Sequence, residues 1–119
     1  MNEQHLREDI FKILRILSSN NYLTQRDLSG YLGFSLGKTN YLIKELTQKG
    51  LVKIKNFSKK NHKLNRISYI LTPKGLKEKT ILTLHFLKRK QREYEDLRRE
   101  WGNFRNSIYK SEAAGINER

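Results

Sequence analysis

The 119-residue chain contains no cysteine, a single proline (Pro73) and no long hydrophobic run. Without cysteine, disulfides, thiolate metal sites and cysteine nucleophiles are excluded. The longest apolar stretch, residues 81–87, is interrupted by Thr83 and His85, whereas a transmembrane helix needs about 20 apolar residues. The N-terminus shows no basic region followed by an apolar run, so we expect no signal peptide and a cytoplasmic location.

Residue types that usually carry catalysis are few and scattered. The three histidines, His5, His62 and His85, lie far apart, and none has a second metal ligand at a suitable spacing. No glycine-rich phosphate loop or nucleophile motif is present. The acidic residues within 93–100 alternate with arginines along one predicted helix, a pattern typical of ion pairs rather than of paired catalytic acids. The sequence therefore predicts a protein that is not an enzyme, with no metal and no cofactor.

What the chain has in excess is positive charge. It contains 25 lysines and arginines against 12 aspartates and glutamates, a net charge of +13. Residues 35–92 hold 16 of these basic residues and only two acidic ones, Glu45 and Glu78, whereas the flanking segments are nearly balanced. Such a concentrated positive field favours a polyanionic partner, either nucleic acid or an anionic membrane surface.

The first half of the chain shows the hydrophobic spacing and the capping residues of three helices. Residues 3–18 carry apolar side chains at helical spacing. Thr24 is a good N-cap for a second helix, which should end at Gly33 in the left-handed conformation. After one intervening residue, Ser35 caps a third helix over about residues 36–49. Two helices joined by a tight glycine-containing turn are typical of a helix-turn-helix.

The periodicity changes after the third helix. Residues 51–57 and 67–72 alternate in polarity as strands do, and the polar, basic run 58–63 between them predicts a hairpin loop. Thr72 and Pro73 then form a typical N-cap and first helical residue. Because no further proline follows, the last helix is expected to be much longer than a usual globular helix.

This last helix carries an apolar stripe at coiled-coil spacing. Its members recur every three or four residues, with one three-residue stammer between Tyr94 and Leu97. Leucine and aromatic side chains that continue beyond a complete domain need a partner, so we predict a homodimer through this helix. The predicted dimer interface consists of Leu84, Leu87, Gln91, Tyr94, Leu97, Trp101, Phe104 and Ile108.

Two short motifs enclose the predicted hairpin. Gln48-Lys49-Gly50-Leu51-Val52 precedes it, and Leu71-Thr72-Pro73-Lys74-Gly75 follows it. Over roughly residues 6–80, the chain resembles the MarR-type winged helix regulators, in which Lys-Gly-Leu-Val and Leu-Thr-x-x-Gly surround the wing. The resemblance implies a bacterial transcription regulator that binds operator DNA.

A closer likeness covers most of the chain. Ser35-Leu36-Gly37-Lys38, Asn40-Tyr41 and Phe86-Leu87-Lys88-Arg89-Lys90 are similar to runs in the small MarR-like regulators associated with exopolysaccharide gene clusters. This likeness implies exopolysaccharide genes as a candidate target. Repression by blocking polymerase is the expected mode of regulation for so small a protein without an activation domain, and activation stays open as the alternative. It indicates no particular effector ligand.

The predicted fold class is mainly α with a small β-hairpin wing (α+β): a winged helix-turn-helix followed by a long C-terminal coiled-coil helix. We place the DNA-binding domain at 1–75 and the dimerisation helix at 76–110. Residues 111–119 are expected to form a frayed tail.

In a helix-turn-helix, the second helix enters the major groove with its N-terminal turns nearest the bases. The residues predicted to face DNA here are Ser35, Gly37, Lys38, Asn40, Tyr41 and Lys44. Asn40 can form paired hydrogen bonds with adenine, and Lys38 can donate to guanine. Gly37 would permit a close approach, and Tyr41 and Lys44 are expected at sugar and phosphate. The alternative is an ordinary solvated helix surface.

The start of the preceding helix is a second candidate contact. Thr24, Gln25 and Arg26 lie where free backbone N–H groups and the helix dipole suit a phosphate. For Thr24 the alternative is plain capping, and both roles are compatible.

The wing is a third candidate contact. Its predicted DNA-binding residues are Lys59, Lys60, His62, Lys63 and Arg66. Basic wings enter the minor groove or follow the backbone, mainly adding charge. The alternative is a solubilising loop. The basic run 88–92 is equally compatible with DNA backbone contact and with flanking the coiled-coil stripe.

Three other functions fit parts of this pattern. RNA or non-specific nucleic-acid binding would use the same charge. A protein-interaction adaptor would use the long helix as a docking site, but would not need the positive block 35–92. Peripheral membrane binding is disfavoured, because the apolar stripe is narrow and heptad-spaced. We therefore predict sequence-specific binding of double-stranded DNA by a homodimer, with no membrane partner.

Overall fold

The computed structural model describes residues 3–20, 22–57 and 66–117. In chain order the elements are α1 (Glu3–Ser19), α2 (Gln25–Leu32), α3 (Leu36–Gln48), β1 (Val52–Phe57), β2 (Arg66–Leu71) and α4 (Pro73–Asn117). The protein is thus mainly α-helical with one antiparallel hairpin and a long last helix, which confirms the predicted fold class. A coiled coil needs a second chain and stays a prediction.

The chain divides into two compact units, Met1–Thr83 and Leu84–Arg119. Helix α4 starts in the first unit and continues into the second. Helix α4 runs to Asn117, and Glu112, Ala113 and Ala114 are strong helix formers that no proline interrupts. The frayed tail expected over 111–119 stays a prediction. The domain limits drawn from the sequence stay predictions.

Caps determine where α2 and α3 begin. The hydroxyl of Thr24 accepts the N–H of Asp27 at 3.0 Å, and the Asp27 carboxylate accepts the N–H of Thr24 at 3.0 Å. Helix α2 ends at Gly33 with φ of 70°, in the left-handed region. The Ser35 hydroxyl then accepts the N–H of Lys38 at 3.1 Å. These caps confine the turn to a few residues, which fixes the direction in which α3 leaves α2.

The core of the first unit is built from the apolar faces of its helices and strands. Its buried apolar residues are Ile10, Ile13, Leu14, Leu17, Leu23, Leu28, Leu42, Ile43, Leu46, Leu51, Val52, Tyr69 and Leu82. Helix α3 buries Thr39, Leu42, Ile43 and Leu46, the face that its periodicity indicates. Burying each large aliphatic side chain contributes roughly 1.5–3 kcal/mol relative to leaving it exposed, so α3 is held firmly by its inner side.

The hairpin has one contact that the sequence pattern does not reveal. β1 and β2 pair with Val52 opposite Leu71 and Ile54 opposite Tyr69. Leu23, just before α2, forms an isolated bridge to β2, in which the N–H of Tyr69 donates to the carbonyl of Leu23 at 2.8 Å. A single residue has no periodicity, so no pattern predicts it. The bridge ties the hairpin to the start of α2.

The two motifs that enclose the hairpin meet at its base. The N–H of Thr72 donates to the carbonyl of Leu51 at 3.1 Å, and the Thr72 hydroxyl donates to the carbonyl of Gly50 at 2.7 Å. Lys74 Nζ donates to the carbonyl of Lys49 at 2.9 Å. The end of α3 and the start of α4 are therefore joined by hydrogen bonds, which accounts physically for the presence of both motifs in one chain.

Gly75 permits this junction. Its N–H donates to the Thr72 hydroxyl at 2.9 Å, and its Cα lies close to the backbone of Leu51. A Cβ at this position would overlap the Leu51 carbonyl oxygen and stand 2.7 Å from Leu71 Cδ1. The Leu51 carbonyl cannot move away without breaking the hydrogen bonds of the junction, so only glycine fits at position 75.

We expect Gly75→Ala to lower the free energy of unfolding by about 1–3 kcal/mol, as overpacking typically does. Urea denaturation measures this change. Gly30→Ala in α2 is the control, because a Cβ there would meet no atom within 4 Å; it should be neutral or stabilise by up to about 1 kcal/mol. Equal stabilities of the two variants would contradict the steric argument.

Candidate nucleic-acid interface

The side of α3 opposite its buried face carries polar groups near the N-terminal end. Ser35, Gly37 and Lys44 are exposed, and Asn40 is half-buried. Tyr41 is 53% exposed. This surface presents an amide, a phenol and an ammonium group on a helix whose inner face is anchored in the core. That these residues contact nucleic acid stays a prediction.

Lys38 lies elsewhere than expected. Its Nζ is 3.0 Å from Asp9 Oδ2 and 4.1 Å from the centre of the Phe34 ring. The side chain of Asp9 is 11% exposed and that of Lys38 is 34% exposed. The expected outward ammonium is therefore not observed, because a nearly buried carboxylate on α1 attracts the cation. A contact between Lys38 and guanine would require this ion pair to break, and it stays a prediction.

Asp9 was missed by the sequence analysis, although a signal was present. Asp9, Ile13 and Leu17 follow one another at intervals of four residues, which places them on one line along a helix. Ile13 and Leu17 are core residues, so the carboxylate on the same line had to be nearly buried. A buried carboxylate needs a partner, and the tertiary structure supplies it in Lys38.

The start of α2 serves the architecture of the helix-turn-helix. Thr24 forms the capping box with Asp27, so the capping role considered for it is confirmed. The Gln25 side-chain amide donates to the carbonyl of Leu36 at 3.0 Å and so links the first turns of α2 and α3. Arg26 is exposed. Phosphate contacts by Thr24, Gln25 and Arg26 stay predictions.

Most of the predicted wing residues fall in the segment 58–65. Lys59, Lys60, His62 and Lys63 lie outside the described residues, and of Arg66 only the backbone, at the start of β2, is described. On β1, Lys55 is exposed, and its Nζ lies 5.8 Å from the centre of the Tyr22 ring. The hairpin therefore carries positive charge on its stem as well.

In the second unit, the predicted dimer stripe is exposed along its whole length. Its apolar members, from Leu84 to Ile108, are between 40% and 65% exposed, and Gln91 is exposed. The rings of Trp101 and Phe104 lie 6.0 Å apart. A contiguous row of leucine and aromatic side chains in water is unfavourable and typically marks an interaction surface.

Ion pairs accompany the stripe. Arg89 lies 3.3 Å from Glu93, Lys90 lies 3.4 Å from Glu93, and Arg99 lies 3.4 Å from Asp96. All are exposed pairs within one helix and contribute little to stability individually. They agree with the expectation that these carboxylates pair with neighbouring cations.

The part of the chain that the structure describes offers neither a metal site nor a membrane-spanning helix. There, no group of three or more histidine, aspartate or glutamate side chains could hold a metal ion. Within the same residues, no helix combines the length and the apolar character needed to cross a membrane.

Comparison with known proteins points to one kind of domain. Residues 9–53 match the winged helix-turn-helix DNA-binding family. No curated protein sequence matches the chain.

Similar solved structures include MepR, a transcription regulator of the Staphylococcus aureus multidrug efflux pump MepA. It is 21% identical, the match covers 84% of this chain and 78% of that chain, and the TM-score is 0.57. A MarR/EmrR family transcriptional regulator from Acinetobacter sp. ADP1 is 19% identical over 72% of this chain and 58% of its own, with a TM-score of 0.61. An S. aureus MepR–DNA complex is 23% identical over 71% and 59%, with a TM-score of 0.57.

At these identities the structural similarities establish the fold. They confirm the resemblance to MarR-type winged helix regulators in architecture, whereas the likeness to exopolysaccharide-associated regulators gains no support and stays a prediction. The match over 9–53 covers α2 and α3 together with most of α1 and the first residues of β1. The chain therefore contains a winged helix-turn-helix, in the fold shared by MarR-type transcription regulators.

Proposed function

We propose that the protein is a sequence-specific double-stranded DNA-binding transcription regulator that acts as a homodimer and represses its target genes. The observation that carries this proposal is the two-sided character of α3. Its inner residues Thr39, Leu42 and Leu46 are fully buried, while its outer face presents polar groups from within the segment 35–92, in which basic residues outnumber acidic ones 16 to two.

The outer face of α3 offers chemistry suited to a major groove. The side-chain amide of Asn40 can donate an N–H to adenine N7, while its carbonyl oxygen accepts a hydrogen bond from the adenine N6 amino group. The exposed ammonium of Lys44 suits a phosphate, and the Tyr41 phenol suits sugar and phosphate. An S. aureus MepR–DNA complex among the similar structures supports DNA as the partner.

Gly37 adds a steric argument. A Cβ at this position would meet no atom within 4 Å, so packing within the described protein does not require glycine there. Glycine in a helix also costs about 1 kcal/mol relative to alanine. A residue that is unfavourable for the helix and unnecessary for packing fits a surface that a DNA backbone approaches closely.

The exposed stripe on α4 supports the homodimer. Two copies joined through Trp101, Phe104 and their neighbours would bury apolar surface that is otherwise in water. A two-fold dimer presents two copies of α3, which suits a palindromic operator whose half-sites are about 10 base pairs apart. Such a dimer can block polymerase by occupying a promoter, which is why repression is proposed. Exopolysaccharide genes as the target rest on the sequence likeness alone.

Selection of bound fragments from a random pool of DNA duplexes tests this function. We expect an enriched motif with two-fold symmetry, and a preference for it over scrambled duplex that survives at physiological salt. Binding through charge alone would give equal affinities that fall together as salt increases. The latter result would identify a non-specific nucleic-acid-binding protein instead.

Asn40→Ala is expected to relax base preference at one position in each half-site and to cost about 1–3 kcal/mol of binding free energy to the selected duplex. Fluorescence anisotropy with single-base variants of that duplex measures both effects. In contrast, Lys44→Ala should weaken binding to all duplexes alike. It should also reduce the salt slope, that is, the steepness with which the logarithm of the binding constant falls with the logarithm of the salt concentration, by about 0.9, because one phosphate contact is lost. An unchanged preference profile in Asn40→Ala would remove this residue from base recognition.

Gly37→Ala should separate stability from binding. We expect the free energy of unfolding to stay constant or rise by up to about 1 kcal/mol, while affinity for the selected duplex falls about tenfold, or 1.4 kcal/mol. Gly30→Ala, the matched control on α2, should keep full affinity. If Gly37→Ala also bound normally, DNA would not approach this turn of α3 closely.

Trp101→Glu should convert dimers into monomers, because it places a charge in the middle of the stripe. Sedimentation velocity measures the change. Asn106→Glu is the control, because it adds the same charge to the exposed α4 surface at a position outside the 3-4 spacing of the stripe. A dimer that survives Trp101→Glu would show that this stripe is not the interface.

A further inference from the structure

The ion pair between α1 and α3 has an unusual placement. Among the described residues, Asp9 is the one charged residue that is buried, with 8% of its surface exposed. Its partner, Lys38, lies in the first turn of α3, the part of the helix that the proposed function places nearest to the bases. The cation nearest to the bases is therefore neutralised by a carboxylate from a different helix, with Nζ and Oδ2 3.0 Å apart.

Lys38 is held on two sides. Besides the Asp9 carboxylate, the face of the Phe34 ring lies 4.1 Å from Nζ, a distance at which a ring attracts a cation. Moving Lys38 onto DNA would leave the carboxylate of Asp9, which is only 11% exposed, without its cation in a low-dielectric environment. Such an unpaired buried charge is strongly unfavourable, so the arrangement opposes transfer of Lys38 to phosphate or guanine.

We propose that Asp9 is a positioning residue that determines DNA specificity by keeping the charge of Lys38 off the DNA. This inference rests on the proposed function, since it assumes that α3 contacts duplex DNA. With Lys38 held, the first turns of α3 meet the bases through Asn40, whose paired hydrogen bonds depend on the base. A released ammonium would instead bind the nearest phosphate of any sequence, which adds affinity without discrimination.

Neutralising Asp9 should therefore increase non-specific binding. In Asp9→Asn, which keeps the shape of the side chain, Lys38 becomes available for phosphate. We expect the salt slope of binding to a random-sequence DNA duplex to steepen by about 0.9. Affinity for that duplex should rise severalfold, and the ratio of selected to random affinity should fall by the same factor.

Two controls isolate the role of Lys38. Glu45→Gln removes one negative charge from α3 itself, so it reports the general effect of raising net charge and should leave the slope unchanged. The double variant Asp9→Asn with Lys38→Met removes both partners and should restore the wild-type slope. Lys38→Met alone should also keep the wild-type slope, whereas Lys44→Met should reduce it by about 0.9.

Several results would overturn the inference. A slope reduced by about 0.9 in Lys38→Met would mean that Lys38 contacts phosphate in the wild type. Equal behaviour of Asp9→Asn and Glu45→Gln would mean that only net charge matters. Circular dichroism and urea unfolding of each variant show whether a loss of binding reflects a loss of folding. The double variant Asp9→Asn with Lys38→Met should have a higher free energy of unfolding than the sum of the two single changes implies, because it leaves no unpaired buried charge.

Failure of the proposed function gives a different result. If the wild type binds selected and random duplexes equally, sequence-specific regulation is wrong, while the salt slopes of the variants still show whether Asp9 restrains Lys38. If the wild type binds no duplex DNA at all, both proposals fall.

Discussion

The structure depends on the burial of the inner face of α3. Leu42, Ile43 and Leu46 lie in the core, and Thr39 is buried with them in the first half of the helix. The Thr39 hydroxyl is satisfied inside the protein, because it donates to the carbonyl of Ser35 at 2.9 Å. A helix anchored along its inner side has little freedom to rotate, so the direction of its outer residues is set by packing and not by their own contacts.

Hydrogen bonds and close packing connect the hairpin and the start of α4 to the end of α3. The N–H of Leu51 donates to the carbonyl of Leu46 at 2.9 Å, so β1 starts directly from the end of α3. Thr72 and Gly75 then return the chain to the same point. Hairpin and helix therefore share one base, and the Leu23 bridge adds a link to the start of α2. The wing stem and α3 are parts of one packed unit.

Charge in this protein acts at two levels. The 16 basic and two acidic residues of segment 35–92 create a long-range positive field that attracts polyanions. At short range, individual cations differ, because Lys38 is paired with Asp9 whereas Lys44 is exposed. A count along the sequence treats both lysines alike. It overlooks a compensating carboxylate that lies 29 positions away in the chain and is supplied by another helix.

Much of the fold follows from the sequence by itself, because its determinants are local. Helical periodicity, the caps at Thr24 and Ser35, the left-handed Gly33 and the Thr72-Pro73 start act over a few residues, and so the order of elements and the buried face of α3 could be predicted. What only the tertiary structure decided are contacts between distant segments: the pairing of Asp9 with Lys38, the Leu23 bridge and the close approach of Gly75 to Leu51. No periodicity encodes these contacts, since each depends on how helices and strands pack after they form.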